Sequence, residues 1–250
     1  MTAPRAVTVA AVIHPADART RAAITAEPAV IEVVEAGPRW HEAVQAGFDE
    51  TGADWLWLVA AGVVPQEGTL AALLAALDLA GEGPAGELPR PVLLSSRIVA
   101  RDGTPDPSSA PWVPLIDRAV VMAAAARGLA AVRFARWGSL LVDRAAIEHH
   151  GLPREDFATG ADDLEWTGRI LLNAAGYAVP DSVAVRETPR ANGVVGELQG
   201  RARMLRGNGW EGAEPLWFVY ETVRGMGRSP SRSPRAITAR LRGRSRLKRA

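Results

Sequence analysis

The residues best suited to chemistry form a short acidic run, Asp162-Asp163-Leu164-Glu165-Trp166, with Arg169 one helical turn beyond Glu165. Two adjacent carboxylates in a cleft repel each other's charge. One of them then has a raised pKa and can take a proton, for instance from an alcohol that attacks a sugar carbon. The same residues also have a structural reading, because acids in the first turn of a helix cap it and match its dipole, with Asp162 as the cap. A second group, Arg136-Trp137-Gly138, makes a basic and aromatic turn whose glycine allows close approach. Trp137 there either stacks on a sugar or lies in the core. Three more segments matter by position. His14-Pro15, Glu35-Ala36-Gly37 and Ala60-Ala61-Gly62 each follow an apolar, strand-like run, and doubly wound sheets bind ligands beyond the carboxyl ends of their strands.

Several chemistries are excluded. The chain has no cysteine, so disulfides, thiolate nucleophiles and Cys-based zinc sites are out. Its four histidines (His14, His41, His149, His150) lack metal-binding spacing such as HExxH. No GxGxxG follows the first strand and no GxxxxGK[ST] occurs, which argues against a dinucleotide fold and a P-loop. A length of 250 residues, 48% hydrophobic and 23% charged, describes a soluble globular protein able to bury a sizeable core. Met1–Arg5 carries no secretory pattern, and no run approaches the roughly 18 apolar residues of a membrane span. The expected location is cytoplasmic.

The elements that must position these residues alternate. Ala6–His14, Val30–Glu35, Asp54–Val59 and Pro91–Ala100 read as strands. Between them, Asp17–Ala26 (with Asp17 as cap), Pro38–Glu50 and Gln66–Leu79 read as helices. Strand–helix alternation with short connections predicts an α/β fold with a doubly wound, mostly parallel sheet. Further on, Asp117–Arg127 is predicted helical, Ala131–Phe134 and Ser139–Val142 as short strands, and Asp143–His149 as a helix ended by Gly151-Leu152-Pro153. A helix over Asp162–Ala175 and a strand over Ser182–Glu187 follow, then outer helices over Gly196–Arg206 and Glu214–Met226. One domain is expected over residues 1–226. From Gly227 the composition turns Ser/Pro/Arg-rich, which predicts a disordered tail over 227–250. Residues 224–250 hold nine Arg and one Lys and no acid, leaving 19 basic against 28 acidic residues elsewhere.

Taken together, three stretches resemble the inverting family-2 glycosyltransferases of the GT-A fold, in particular the bacterial rhamnosyl- and galactofuranosyltransferase-like branch. They are DWLWLVAAGVVPQEGTLAALLAAL (54–77), GSLLVDRAAIEHHGLPREDF (138–157) and FATGADDLEWTGRILLNAAGY (157–177). The third retains Phe157, Asp162, Asp163, Glu165, an aromatic at Trp166, Arg169 and Gly176-Tyr177. The resemblance covers about residues 6–190, and its order and spacing are more specific than any one piece.

The resemblance implies transfer of a sugar from a nucleoside-diphosphate sugar to an acceptor hydroxyl with inversion, in cell-envelope polysaccharide assembly. It implies Asp163 as the base, aided by Asp162, with Glu165, Trp166, Arg136, Trp137 and Gly138 on the substrate side. His14, Glu35, Arg39, Ala60 and Gly62 fall at its nucleotide-binding positions. The acceptor implied is a glycan or a lipid-linked sugar. The family holds a divalent metal (Mg or Mn) on aspartates after the third strand. Here that DxD motif is degenerate, Ala60-Ala61-Gly62, and supplies no carboxylate. His14-Pro15 also departs from the family's first loop, and Glu35-Ala36-Gly37 from its second. Hard cations need oxygen donors. Two readings therefore stay open. One is a transferase that works without the usual metal, with Arg39, Arg97 or Arg136 on the diphosphate. The other is a catalytically inactive homologue, a sugar- or nucleotide-binding subunit or a partner of an active glycosyltransferase. The basic tail is suited to an anionic membrane surface, which would make the protein peripheral at the inner face; nucleic acid is the less favoured partner.

Overall fold

The computed structural model describes residues 7–14, 17–37, 39–84, 86–113, 118–157, 161–188 and 194–205, and four positions between 215 and 222. The described residues belong to two compact units, one of residues 1–158 and 162–190, the other of 159–161 and 191–250. The expected tail and most of the helix expected over Glu214–Met226 lie outside the described residues. No described helix is long and apolar enough to cross a membrane.

In the first unit the described strands form one eight-stranded sheet. Its strands are β1 (Val9–His14), β2 (Val30–Glu35), β3 (Trp55–Ala60), β4 (Val63–Pro65), β5 (Pro91–Ala100), β6 (Ala130–Ala131), β7 (Ser139–Asp143) and β8 (Ala175–Arg186). The order is β2-β1-β3-β7-β5-β8-β4, with β6 also on β8. β1 runs parallel to both β2 and β3, and β5 parallel to β8, whereas β7 is antiparallel to β3 and β5. The helices are α1 (Ala18–Thr25), α2 (Trp40–Glu50), α3 (Thr69–Leu77), α4 (Arg118–Ala125), α5 (Arg144–His150) and α6 (Asp162–Ile170). This is the predicted α/β sheet, with the long strands pointing one way and β7 reversed among them.

The central strand β3 is buried along its whole length. A strand covered on both faces reads as an unbroken apolar run, which is why WLWLVA lacks alternation. Trp55, Leu56, Trp57 and Leu58 are essentially inaccessible, each worth roughly 1.5–3 kcal/mol relative to an exposed side chain. The indole N–H of Trp57 donates to Ser139 Oγ at 2.9 Å, tying β3 to the start of β7. Edge strand β2 is half exposed and carries Glu32 and Glu35 outward, a common protection against edge pairing.

Three local expectations differ. Val63–Pro65, left between the expected strand over Asp54–Val59 and helix over Gln66–Leu79, is strand β4, paired antiparallel with Val63 opposite Arg186. Helix α6 stops at Ile170, and β8 starts at Ala175 rather than Ser182. The reason is pairing: β5 is ten residues long and pairs with β8 from Ala175 onward, and Tyr177 is pinned inside by its hydroxyl donating to the Pro89 carbonyl. The strand expected over Ala131–Phe134 shrinks to Ala130–Ala131, while Trp112 pairs with Phe134 as an isolated bridge. In the second unit, α7 spans Val194–Met204, and Arg201 donates to Thr222 Oγ1 at 3.0 Å.

Candidate functional site

The parallel strands β1 and β3 end side by side, with His14 in register with Ala60. The Ala61 N–H donates to the His14 carbonyl, and the Ala60 N–H donates to the Gly138 carbonyl at 2.8 Å. These bonds bring three of the nominated segments, His14, Ala60–Gly62 and Arg136–Gly138, to one end of the sheet. A Cβ on Gly138 would meet Ile98 Cγ1 at 3.0 Å, so a larger residue there would require the Ile98 side chain to shift.

The acidic helix docks on the same segment. The Thr167 hydroxyl donates to the Asp163 carbonyl at 2.7 Å and accepts from the Ala135 N–H at 3.0 Å. Asp162 Oδ2 accepts from the Trp137 indole N–H at 3.0 Å. Asp163 Oδ2 accepts from the Trp137 backbone N–H at 3.2 Å, and its Oδ1 accepts from the Leu164 N–H at 2.8 Å and lies 3.4 Å from Arg136 Nη1. Asp163 is 0% exposed and Arg136 is buried with it. Glu165 pairs with Arg169 at 3.0 Å, and Arg169 also donates to the Leu152 carbonyl at 2.9 Å, so this acid braces α6 against the end of α5.

An aromatic row crosses the site. The His14 ring is 4.8 Å from Trp40, Trp40 stacks on Trp137 at 4.0 Å and 13°, and Trp137 is 5.4 Å from Trp166. Trp137 and Trp166 are buried, Trp137 in the packed position of its two readings. Trp40 is the member that sequence reasoning missed. The available signal was a Trp at the first helical position after a strand-end loop.

The other nominated residues lie apart. Glu35 is exposed at the end of β2 and pairs with Arg21 beside an open recess of about 660 Å³ between α1 and β2. Arg39 precedes α2, exposed, with no side-chain capping bond. Arg97 is exposed in β5, opposite Val183.

The turn after β3 does not fit a metal. Among the described residues no three His, Asp or Glu side chains are grouped to hold one. The carboxylate nearest this turn, Asp17, is spent on N–H and O–H donors. Its Oδ1 accepts from the Arg19 and Thr20 N–H groups at 3.1 and 2.9 Å, and its Oδ2 from the Thr20 hydroxyl at 2.5 Å and the Gly62 N–H at 3.4 Å. Burial pushes the Asp17 carboxyl up, but these hydrogen bonds outweigh it and its pKa lies below the usual value. An acid already committed to helix capping is a poor cation ligand.

No protein-family model matches the sequence, and no curated protein matches it. Solved structures do. A mannosyltransferase from Pyrobaculum calidifontis, in complex with GDP-Man and Mn2+, superposes with a TM-score of 0.55 at 16% identity, over 96% of this chain and 75% of that one. S. aureus TarS 1-349 in complex with UDP gives 0.56 at 11% identity, over 91% and 74%. GalNAc-T7 with UDP, GalNAc and Mn2+ gives 0.51 at 11%, over 81% and 48%. The fold is glycosyltransferase-like, of the GT-A kind. The chain spans only 38% of the longer TarS structure. At these identities the likeness establishes the fold alone, and activity has to be argued from the site.

Proposed function

We propose that this protein binds a nucleoside-diphosphate sugar at the carboxyl ends of β1 and β3 without a metal, and transfers the sugar with inversion to a hydroxyl of a glycan or lipid-linked acceptor. The observation that carries this reading is the convergence of the acid pair with the Arg136–Gly138 segment at the end of the sheet where β1 and β3 stop. In the reaction, Asp163 takes the acceptor's hydroxyl proton. The acceptor oxygen bonds to the anomeric carbon as the bond from that carbon to the diphosphate oxygen breaks, and the nucleoside diphosphate leaves. Asp163 would have to exchange its contacts with Trp137 and Arg136 for the acceptor; catalytic hydrogen bonds often form only in the substrate complex.

A second reading, a binding or partner subunit without turnover, is favoured by a specific observation. Asp163 is fully buried on Arg136 and Trp137, and Trp40 has Trp137 stacked on it at 4.0 Å with the His14 ring 4.8 Å away, in the crevice a donor would enter. One experiment separates them. The purified chain is heated with a panel of UDP-, GDP- and dTDP-sugars, in chelator and in manganese, and donor cleavage is followed in parallel. A ligand that binds only the folded state raises the midpoint. The transferase reading expects one sugar nucleotide to stabilise equally in both buffers. It also expects cleavage that falls about 100-fold or more in Asp163→Asn with binding retained. Stabilisation without cleavage supports a binding subunit, and no stabilisation by any member of the panel overturns donor binding and leaves the partner subunit standing.

A further inference from the structure

If no metal offsets the diphosphate at the turn after β3, another cation must. Glu187, the first residue after β8, donates its N–H to the Gly62 carbonyl at 2.7 Å, which places this residue beside the Ala60–Gly62 turn. Two guanidiniums from distant elements converge on that carboxylate. Arg19, in the first turn of α1, has Nη1 2.6 Å from Oε1, and Arg101, just past β5, has Nη2 3.8 Å from Oε2. The arrangement carries one net positive charge. The Glu187 side chain is 19% exposed, whereas those of Arg19 and Arg101 are 72% and 68% exposed, so both arginine side chains are open to solvent. Exposed ion pairs contribute little, so replacing one anion by another costs little. The adjacent Asp17 carboxylate is turned onto the N–H groups of Arg19, Thr20 and Gly62 and the Thr20 hydroxyl.

We propose that Arg19 and Arg101 form an anion clamp for the diphosphate of the donor, and that Glu187 is a place-holder displaced when the diphosphate binds. Planar guanidiniums match phosphate oxygens in pairs and stay charged at all working pH values. The clamp rests on the metal-free donor-binding reading and supplies the charge that reading lacks.

The test uses the full chain, inorganic pyrophosphate and UDP as probes, chelator throughout, and calorimetric titration at low salt. The doubly substituted Arg19→Ala/Arg101→Ala protein is expected to lose about tenfold or more in affinity for pyrophosphate. Glu187→Gln is expected to bind pyrophosphate about threefold tighter, because it removes the competing charge. A merely structural ion pair would leave both affinities unchanged. UDP binding equally tightly to wild type and to the double variant overturns the clamp and leaves the donor-binding reading standing. Wild type that binds neither probe overturns the two together. Weaker binding by Glu187→Gln overturns the place-holder role.

Discussion

The turn after β3 and the first turn of α6 face the same end of the sheet, and they differ in what they have kept. At the β3 turn the backbone is in place, fixed by register with β1 and by the bond to the Gly138 carbonyl, but its side chains are Ala60, Ala61 and Gly62. At α6 the acids are present, but they are engaged with Arg136 and Trp137. The contrast separates two kinds of constraint. The position of the β3 turn follows from a buried strand whose tryptophans hold the sheet, so it persists whatever residues occupy the turn. The α6 acids also hold the Arg136–Gly138 segment in place, so structure alone would retain them even in a protein without turnover.

That difference is open to direct perturbation, and the largest effect is expected at α6. Asp163→Ala removes the carboxylate that faces the buried Arg136 guanidinium, and breaking a buried pair from one side costs about 3–5 kcal/mol. The Trp137 N–H loses an acceptor as well. Urea unfolding should show this loss. Asp162→Ala, which removes one bond to the Trp137 indole, should cost about 1 kcal/mol. Equal and small losses would mean that the acids do not hold this segment, and that their retention calls for a catalytic explanation.

At the β3 turn the sensitive position is Gly62. Its φ is 67°, and a Cβ there would come 1.8 Å from Thr188 Oγ1. Gly62→Ala should therefore cost about 2 kcal/mol, from the left-handed backbone and the clash together. Adding Thr188→Ala should recover the clash part and leave the backbone part. If Gly62→Ala costs nothing, the turn is looser than its register with β1 implies, and room for a larger ligand-binding side chain exists there.

Much of this fold was legible in the sequence because it is local. The limits of β2 and β5 follow from stretches rich in β-branched and apolar residues, and Asp17 and Asp143 cap their helices as residue type and position suggest. The reversed β7 was not legible, because a short apolar strand has the same pattern in either direction. Nor was the aromatic row, which joins side chains from β1, α2, α6 and the segment before β7. The Arg19–Glu187 pair spans 168 residues, and no spacing rule reaches that far. The arginines singled out from the sequence illustrate the gap. Arg136 is buried on Asp163 and Arg97 is exposed at mid-strand, while the guanidiniums that meet on Glu187 are Arg19 and Arg101.

The smallest expected effect concerns the acid nearest that turn. Asp17 has a folded-state pKa below its ordinary value, because hydrogen bonds from Thr20, Gly62 and Arg19 outweigh the upward push of burial. A depressed carboxylate contributes stability that is fully present above its unfolded pKa, near 3.9, and is lost as pH falls through the lower folded value. Asp17→Ala should therefore cost about 1 kcal/mol at pH 7, as an N-cap loss does. The deficit relative to wild type should shrink below about pH 4. Asp17→Asn keeps a capping oxygen and should show a smaller deficit with no such trend. Urea midpoints at pH 7, 5 and 3 compare the three proteins. A deficit that persists undiminished at pH 3 would mean that the charge of Asp17 does not stabilise the fold. The cap would then work without the carboxylate's charge, and the depressed pKa would no longer count as a sign that this carboxylate is committed to the fold.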